Sequence, residues 1–295
     1  MHTLFNRQPY AQNTSPSGTP QNAPTLSLNN RGLLIGDGVF TTILAIDGTP
    51  QHWAAHCDRL KRDVTIFRLS FNEAGLYDAV TMLLALNSLT TGLARVRITL
   101  TRENAPFNVL SSTTPSNASS NRIHVHASPL RLNGAEPPIE LITAAPYIAP
   151  QTPIRLTIAS IPRGIPGLLT QTKHVGYQGA FLSVMEATDK GYDDAIMLNH
   201  HGRVTSATTA NLFMRVDNQW VTPPISEGAL PGIMRQHILT NPTLLNHHGL
   251  SPHQVTEHPI TMTDIKNANA AVITNCLIGI RPVACIDDIQ FNDMQ

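Results

Sequence analysis

The sequence predicts an α+β fold in two halves, with mixed or antiparallel sheets. Two patterns set that expectation. Through RVRITLT, Val96, Ile98 and Leu100 alternate with Arg95, Arg97, Thr99 and Thr101, and through IHVHA the apolar positions are Ile123, Val125 and Ala127. Period two with one polar face marks strands that meet a core on one side and solvent or a cleft on the other. Trp53, Cys57, Leu60, Val64 and Phe67 instead recur every three or four residues, the period of one helical face. Strands and helices do not alternate regularly and no G-x-G-x-x-G follows a strand, so a doubly wound sheet is not expected.

The elements follow in order. Residues 1–24 are expected to form a flexible N-terminal arm, because 11–24 is rich in Gln, Asn, Ser, Thr and Pro with little to bury. A small α+β domain then spans 25–128. In it VFTTILAI reads as a strand entering a hairpin at Asp47-Gly48, where a positive φ is easily adopted. The helical stripe from Trp53 carries Arg59 beside it. SSTTPSNASSN at 111–121 reads as a loop next to strands, the usual setting of a lid. Five prolines from Pro137 to Pro153 mark 129–153 as the interdomain connection. The larger domain, 154–295, runs strand (IRLTIAS), loop with Lys173, helix near 179–189, strands DAIMLN, TANLFMRV and WVTP, a helix opening at Pro231-Gly232, and AAVITN before CLIGIRPV.

Composition narrows the function class. The chain has 295 residues, 41% hydrophobic and 14% charged, with zero formal net charge. That fits a soluble, cytoplasmic enzyme of about two domains. Lys and Arg are scattered, so no nucleic-acid footprint is expected, and no apolar run approaches a membrane span or a secretory leader. Cys57, Cys276 and Cys285 form no C-x-x-C pair, and the histidine pairs 200–201 and 247–248 lack ligand spacing, so no metal is expected.

Lys173 is one of only four lysines; Lys61, Lys190 and Lys266 sit in charged or polar contexts. A lysine held near apolar groups loses basicity and becomes a nucleophile for Schiff-base chemistry. Three segments offer anion donors: Arg59 a bidentate guanidinium, PGIMRQ the backbone amides of Gly232, Ile233 and Met234 at a helix start, and Asn275-Cys276 an amide and a side-chain contact. Taken singly, Arg59 also fits a solvated helix residue and PGI a plain helix start.

Together, RGLLIGDGVFTT, HCDRL, TKH, GYDDAIMLN, GRVTSATTANLF, VTP, LPGIMRQ and TNCLIGIRPV resemble, in order, the fold type IV, class IV pyridoxal-phosphate (PLP) enzymes. That family includes branched-chain and D-amino-acid aminotransferases and 4-amino-4-deoxychorismate lyase. The resemblance implies a two-domain α+β fold like that of D-amino-acid aminotransferase, a homodimer, and PLP in the interdomain cleft. It places the internal aldimine on Lys173 and the cofactor phosphate between Arg59 and the Ile233-Met234 backbone, near Asn275-Cys276. GDGVFTT carries Thr41 where the aminotransferases tend to have glutamate. With KH and GIMRQ, it looks most like the lyases, which release pyruvate to give 4-aminobenzoate, a folate precursor. Thr41, Arg97 and Arg102 are then the expected substrate-side residues. An aminotransferase of D- or branched-chain amino acids is the alternative, and a weakly active or inactive PLP-binding homologue a third reading. Two departures stand out. Ser206 occupies the place of the glutamate under the pyridine nitrogen, and ENAPFNVLSSTTPSN replaces the glycine-rich lyase loop.

Overall fold

The computed structural model describes residues 1–11, 26, 30–102, 138–217, 219–248 and 255–291. They form a mixed α/β structure with two sheets, each with its own apolar core.

The first sheet consists of β1 (His2–Phe5), β2 (Gln8–Ala11), β3 (Gly38–Ile46), β4 (Thr49–Pro50), β5 (Leu93–Thr101) and β6 (Ile139–Pro146), with α1 (Arg31–Ile35), α2 (Trp53–Phe67) and α3 (Leu76–Leu86) in its connections. Its order is β2-β1-β6-β5-β3-β4, antiparallel throughout. Asp47 and Gly48 turn the β3-β4 hairpin with φ of 49° and 75°, as the Asp-Gly pair predicts. The alternation in β3 and β5 separates two faces. Val39, Ile43, Val96 and Ile98 pack with Leu60 and Val64 of α2 and with Val80 and Leu83 of α3. Phe40, Thr42, Arg95 and Arg97 project from the other face, into a cleft.

The second sheet comprises β7 (Ile154–Ile158), β8 (Asp194–Leu198), β9 (Val204–Ala207), β10 (Asn211–Val216), β11 (Gln219–Thr222), β12 (Val255–Glu257), β13 (Ala270–Asn275), β14 (Gly279–Ile286) and β15 (Ile289–Gln290). Its order is β12-β11-β10-β13-β14-β7-β8-β9, with β15 beside β14. β7 runs parallel to both neighbours and most other pairs are antiparallel. Among the described residues four α-helices belong to this half: α4 (Leu168–Gln171), α5 (Gln178–Asp189), α6 (Ile233–Thr240) and α7 (Met262–Asn267). None of the described helices is long and apolar enough to cross a membrane.

Two boundaries differ from the sequence expectation. Residues 2–11 of the expected arm are a hairpin that pairs with β6 through Thr3, Leu4 and Phe5 and buries Leu4 completely. Its turn puts Asn6 and Arg7 at positive φ without a glycine, so the usual hairpin signature is missing. The expected connection at 129–153 contains β6, an interior strand of the first sheet. The prolines spare its middle: Pro138 precedes it and Pro146 is its last residue, leaving IELITAA able to make ladder bonds. The expected strand IHVHA, the 111–121 loop and residues 12–24 lie outside the described residues.

A short backbone bridge joins the halves. β3 pairs with β5 along its length and with β4 only at Ala45 and Ile46, which leaves an open edge at Gly38–Phe40. Residues 173–175 occupy that edge: Phe40 N–H donates to the Lys173 carbonyl at 2.9 Å and Val175 N–H to the Gly38 carbonyl at 3.0 Å.

Candidate active site

A cavity of about 430 Å³ opens between the two sheets, with walls drawn from both. Among the described residues its lining includes Lys173, Arg59, Arg95, Arg97 and Arg163 and no Asp or Glu. A concave site so lopsided in charge suits a polyanionic ligand.

Lys173 reaches this cavity because the β3 bridge fixes its backbone and its N–H donates to Asp63 Oδ2 at 3.1 Å. Its Nζ lies 4.6 Å from the Phe40 ring centroid and donates to Tyr177 Oη at 3.2 Å. Burial pushes the amine's pKa down; Tyr177 acts against that, while the charges of Arg59 and Arg97 add to it. Burial alone would push the Tyr177 phenol up, but the charges of Lys173, Arg163 and Arg59 prevail and hold it below its usual value. The amine is therefore prepared for nucleophilic and basic work, with an acidified hydroxyl in contact.

Arg59 is held from α2 by a directed chain of hydrogen bonds. Its Nη2 donates to Thr41 Oγ1 and also to His56 Nδ1 at 3.3 Å, since a guanidinium can only donate; with Nδ1 an acceptor, the Thr41 hydroxyl 2.7 Å away donates to it as well. Those directions leave the His56 proton on Nε2. Burial, then the charges of Arg59, His52 and Lys173, push the His56 pKa from 6.5 to about 2. Both partners of the guanidinium are thus neutral. Arg59 Nε is buried without any hydrogen-bond partner, an unfilled donor at the cavity wall.

Opposite Arg59 is the start of α6, capped by Gly232. A Cβ at Gly232 would fall 2.1 Å from Asn211 Oδ1, and Asn211 Nδ2 is itself committed to the Leu230 carbonyl at 2.8 Å. Only glycine fits that approach. The Gly232 N–H bonds Leu230, whereas Ile233 and Met234 line the cavity at the helix start. Met234 N–H points at the Cys276 thiol, whose pKa burial raises. Asn275 lines the cavity, but its side chain builds the turn: Oδ1 accepts from Leu277 and Ile278 N–H at 2.8 and 3.0 Å. Ser206, on β9, is buried and its Oγ has no partner.

Two of the three expected substrate-side residues are elsewhere. Thr41 is completely buried on the helix-facing side of β3, one residue out of phase with the cavity-lining Thr42, and serves to hold Arg59. Arg102 is buried at the end of β5, bonded to Asp37 Oδ2 at 3.0 Å and the Phe67 carbonyl at 2.6 Å. Arg97 does line the cavity, with Cζ 3.6 Å from the Phe40 centroid and Nε donating to Thr99 Oγ1 at 3.1 Å. The sequence reading missed Arg95, although it shares the parity of Arg97. It also missed Tyr177 and Arg163, for which no periodic pattern gave a signal. Arg163 donates to the Gly228 carbonyl at 3.0 Å and closes the loop ahead of Lys173.

The donor set fits pyridoxal phosphate. Arg59 and the Ile233 and Met234 amides suit its phosphate, the Lys173 amine its carbonyl carbon, and the unfilled Ser206 hydroxyl a ring acceptor. Among the described residues no cluster suited to a metal ion is found.

Comparison with known proteins agrees with this geometry. A family model for amino-transferase class IV matches residues 38–286. An aminodeoxychorismate lyase of Vibrio harveyi is 28% identical over 282 residues, covering 92% of this chain and 90% of that protein. A putative branched-chain-amino-acid aminotransferase of Methanocaldococcus jannaschii is 27% identical over 272 residues, covering 92% and 85%. In fold, the chain is similar to the crystal structure of a putative 4-amino-4-deoxychorismate lyase from Legionella pneumophila, with a TM-score of 0.75, 24% identity and coverage of 93% and 92%.

Two predictions come from the Arg59 cradle. Arg59→Ala is expected to weaken PLP binding by about 2–3 kcal/mol, roughly 30- to 150-fold, in a direct titration; unchanged affinity would remove Arg59 from the site. The second concerns His56. The unfolded chain takes up a proton here near pH 6.5 and the folded chain does not, so stability is full above that pH and falls as pH drops from 6.5 toward about 2. Its contribution is about 1.4 kcal/mol per pH unit. In urea unfolding from pH 6.5 to 5, His56→Asn should lose stability less steeply than the parent; equal slopes would contradict a buried neutral His56.

Proposed function

The chain belongs to the class IV aminotransferase family, a PLP-dependent group, and from its cavity we propose that it is a lyase that releases pyruvate from 4-amino-4-deoxychorismate to give 4-aminobenzoate. The observation that carries the reading is the lining, which among the described residues has four arginines and a lysine and no carboxylate. A cofactor phosphate accounts for Arg59, and one substrate carboxylate for one further arginine. The remaining positive charge suits a substrate with a second carboxylate, as this one has. The likeness to the Vibrio lyase supports the same choice.

When bound, PLP would supply an electron sink for the carbon that bears the substrate amine. Arg59 and the start of α6 would hold its phosphate, and Ser206 Oγ, buried without a partner, would donate to its ring nitrogen. A serine hydroxyl, unlike a carboxylate, would leave that nitrogen largely unprotonated. Lys173 Nζ removes the proton from the amine-bearing ring carbon, a role that its lowered pKa favours. Tyr177 Oη, 3.2 Å from Nζ, accepts a hydrogen bond from the ammonium so formed and keeps it oriented. Passage of that proton from the Lys173 ammonium to the methylene of the enolpyruvyl group accompanies cleavage of the ring carbon–oxygen bond, so pyruvate leaves, the ring becomes aromatic and Nζ returns to the neutral amine. Aromatisation supplies driving force that amino transfer lacks, which makes a weaker electron sink sufficient.

An aminotransferase of branched-chain or D-amino acids is the second reading, favoured by the likeness to the Methanocaldococcus protein. It would require a 2-oxo acid acceptor. We also propose that the protein works as a homodimer. Leu33, Leu34 and Ile35 on α1, Leu168 and Leu169 on α4, and Phe181 and Leu182 on α5 are all exposed, an apolar surface of the kind that associating proteins bury.

The PLP-loaded protein is expected to release 4-aminobenzoate and pyruvate in equal amounts without any 2-oxo acid. Ser206→Glu should raise the ratio of amino transfer to elimination. Efficient amino transfer from leucine or D-alanine by the parent, with no 4-aminobenzoate formed, would overturn the reading.

A further inference from the structure

The cleft face of the first sheet carries a feature that neither the cofactor nor a single carboxylate explains. Arg95 and Arg97 lie two residues apart on β5, so their side chains leave the same face of the sheet with Cα atoms roughly 7 Å apart. Both line the cavity. Their neighbours on adjacent strands are not acidic: Arg97 stands opposite Thr42 of β3 and Thr143 of β6, and Arg95 opposite Leu44 and Ala145. Thr42 and Thr143 also line the cavity. Among the described residues, no carboxylate lies within ion-pair distance of either guanidinium.

The two arginines differ in how they are held. Arg97 stacks on Phe40, the ring that Lys173 Nζ also approaches, and its Nε is tied to Thr99; it is therefore oriented beside the lysine. Arg95 is one step further from Phe40 along β5 and is exposed. One fixed guanidinium near the reacting centre and one adaptable guanidinium toward the entrance form a two-point receptor for anions.

We propose that Arg95 and Arg97 together select dicarboxylate substrates, with Arg97 taking the carboxylate nearer Lys173 and Arg95 the outer one. Arg95 is then a specificity-determining residue. The proposal deepens the lyase reading, in which the substrate has two carboxylates, but the receptor would equally select a dicarboxylic amino acid.

The test uses the PLP-loaded protein at low ionic strength, with isophthalate and benzoate as unreactive probes in calorimetric titrations. The parent should bind isophthalate about tenfold more tightly than benzoate. Arg95→Ala should abolish most of that preference by weakening isophthalate alone, and Arg95→Lys should keep part of it. Arg97→Ala should weaken both probes. Added salt should shrink the Arg95 effect first, because that group is exposed. With 4-amino-4-deoxychorismate, Arg95→Ala should raise KM and leave kcat nearly unchanged. Equal binding of both probes by the parent, or a full preference retained in Arg95→Ala, overturns the receptor. The two readings fail separately. A preference that depends on Arg95, without 4-aminobenzoate release, leaves the receptor standing and removes the lyase; release with an unchanged KM in Arg95→Ala does the reverse.

Discussion

Two backbone hydrogen bonds, Phe40 N–H to the Lys173 carbonyl and Val175 N–H to the Gly38 carbonyl, set the position of everything else in the cavity. They exist because β4 is only two residues long and leaves the start of β3 unpaired on one side. An unpaired strand edge must bond something. Here it takes the segment from the other half of the chain that carries the reactive lysine. The amine is thereby placed over Phe40 and against Tyr177, and its low basicity follows from that enclosure and from the nearby guanidinium groups.

The same strand organises the anion cradle through its parity. Odd-numbered positions of β3 face α2, so Thr41 meets Arg59 and His56, while Phe40 and Thr42 face the cleft. A one-residue slip would exchange these sets. Arg59 then crosses toward a helix start where Gly232 alone fits against Asn211. Because the partners of Arg59 are a hydroxyl and a neutral imidazole, its charge is left for the ligand. A glutamate in place of Thr41 would supply a carboxylate close to that guanidinium, so the threonine bears on the charge of the cavity without touching substrate.

Much of this was legible in the sequence, and the failures have physical causes. The alternation in β3 and β5, the stripe of α2 and the Asp-Gly turn identified their elements because each pattern has a period that only one structure satisfies. Lys173, Arg59, Gly232, Ile233, Met234, Asn275, Cys276 and Ser206 were named from the chain, and the structure brings them to one cavity. Parity reveals that Thr41 and Thr42 face opposite ways, but not which face meets the helices; that depends on packing between distant segments. Arg102 invited a substrate role because it follows a strand, yet Asp37 and the Phe67 carbonyl claim it. β6 was obscured by its flanking prolines, and the β1-β2 hairpin by a turn without glycine.

The central claim is that Lys173 is the residue that joins the cofactor, placed there by the β3 edge. Reduction of the PLP-loaded protein with borohydride, followed by peptide mapping, tests it most directly. The account predicts a single pyridoxyl adduct, on Lys173, in a peptide spanning TKHVGY. An adduct on Lys61, Lys190 or Lys266 with Lys173 unmodified would contradict it.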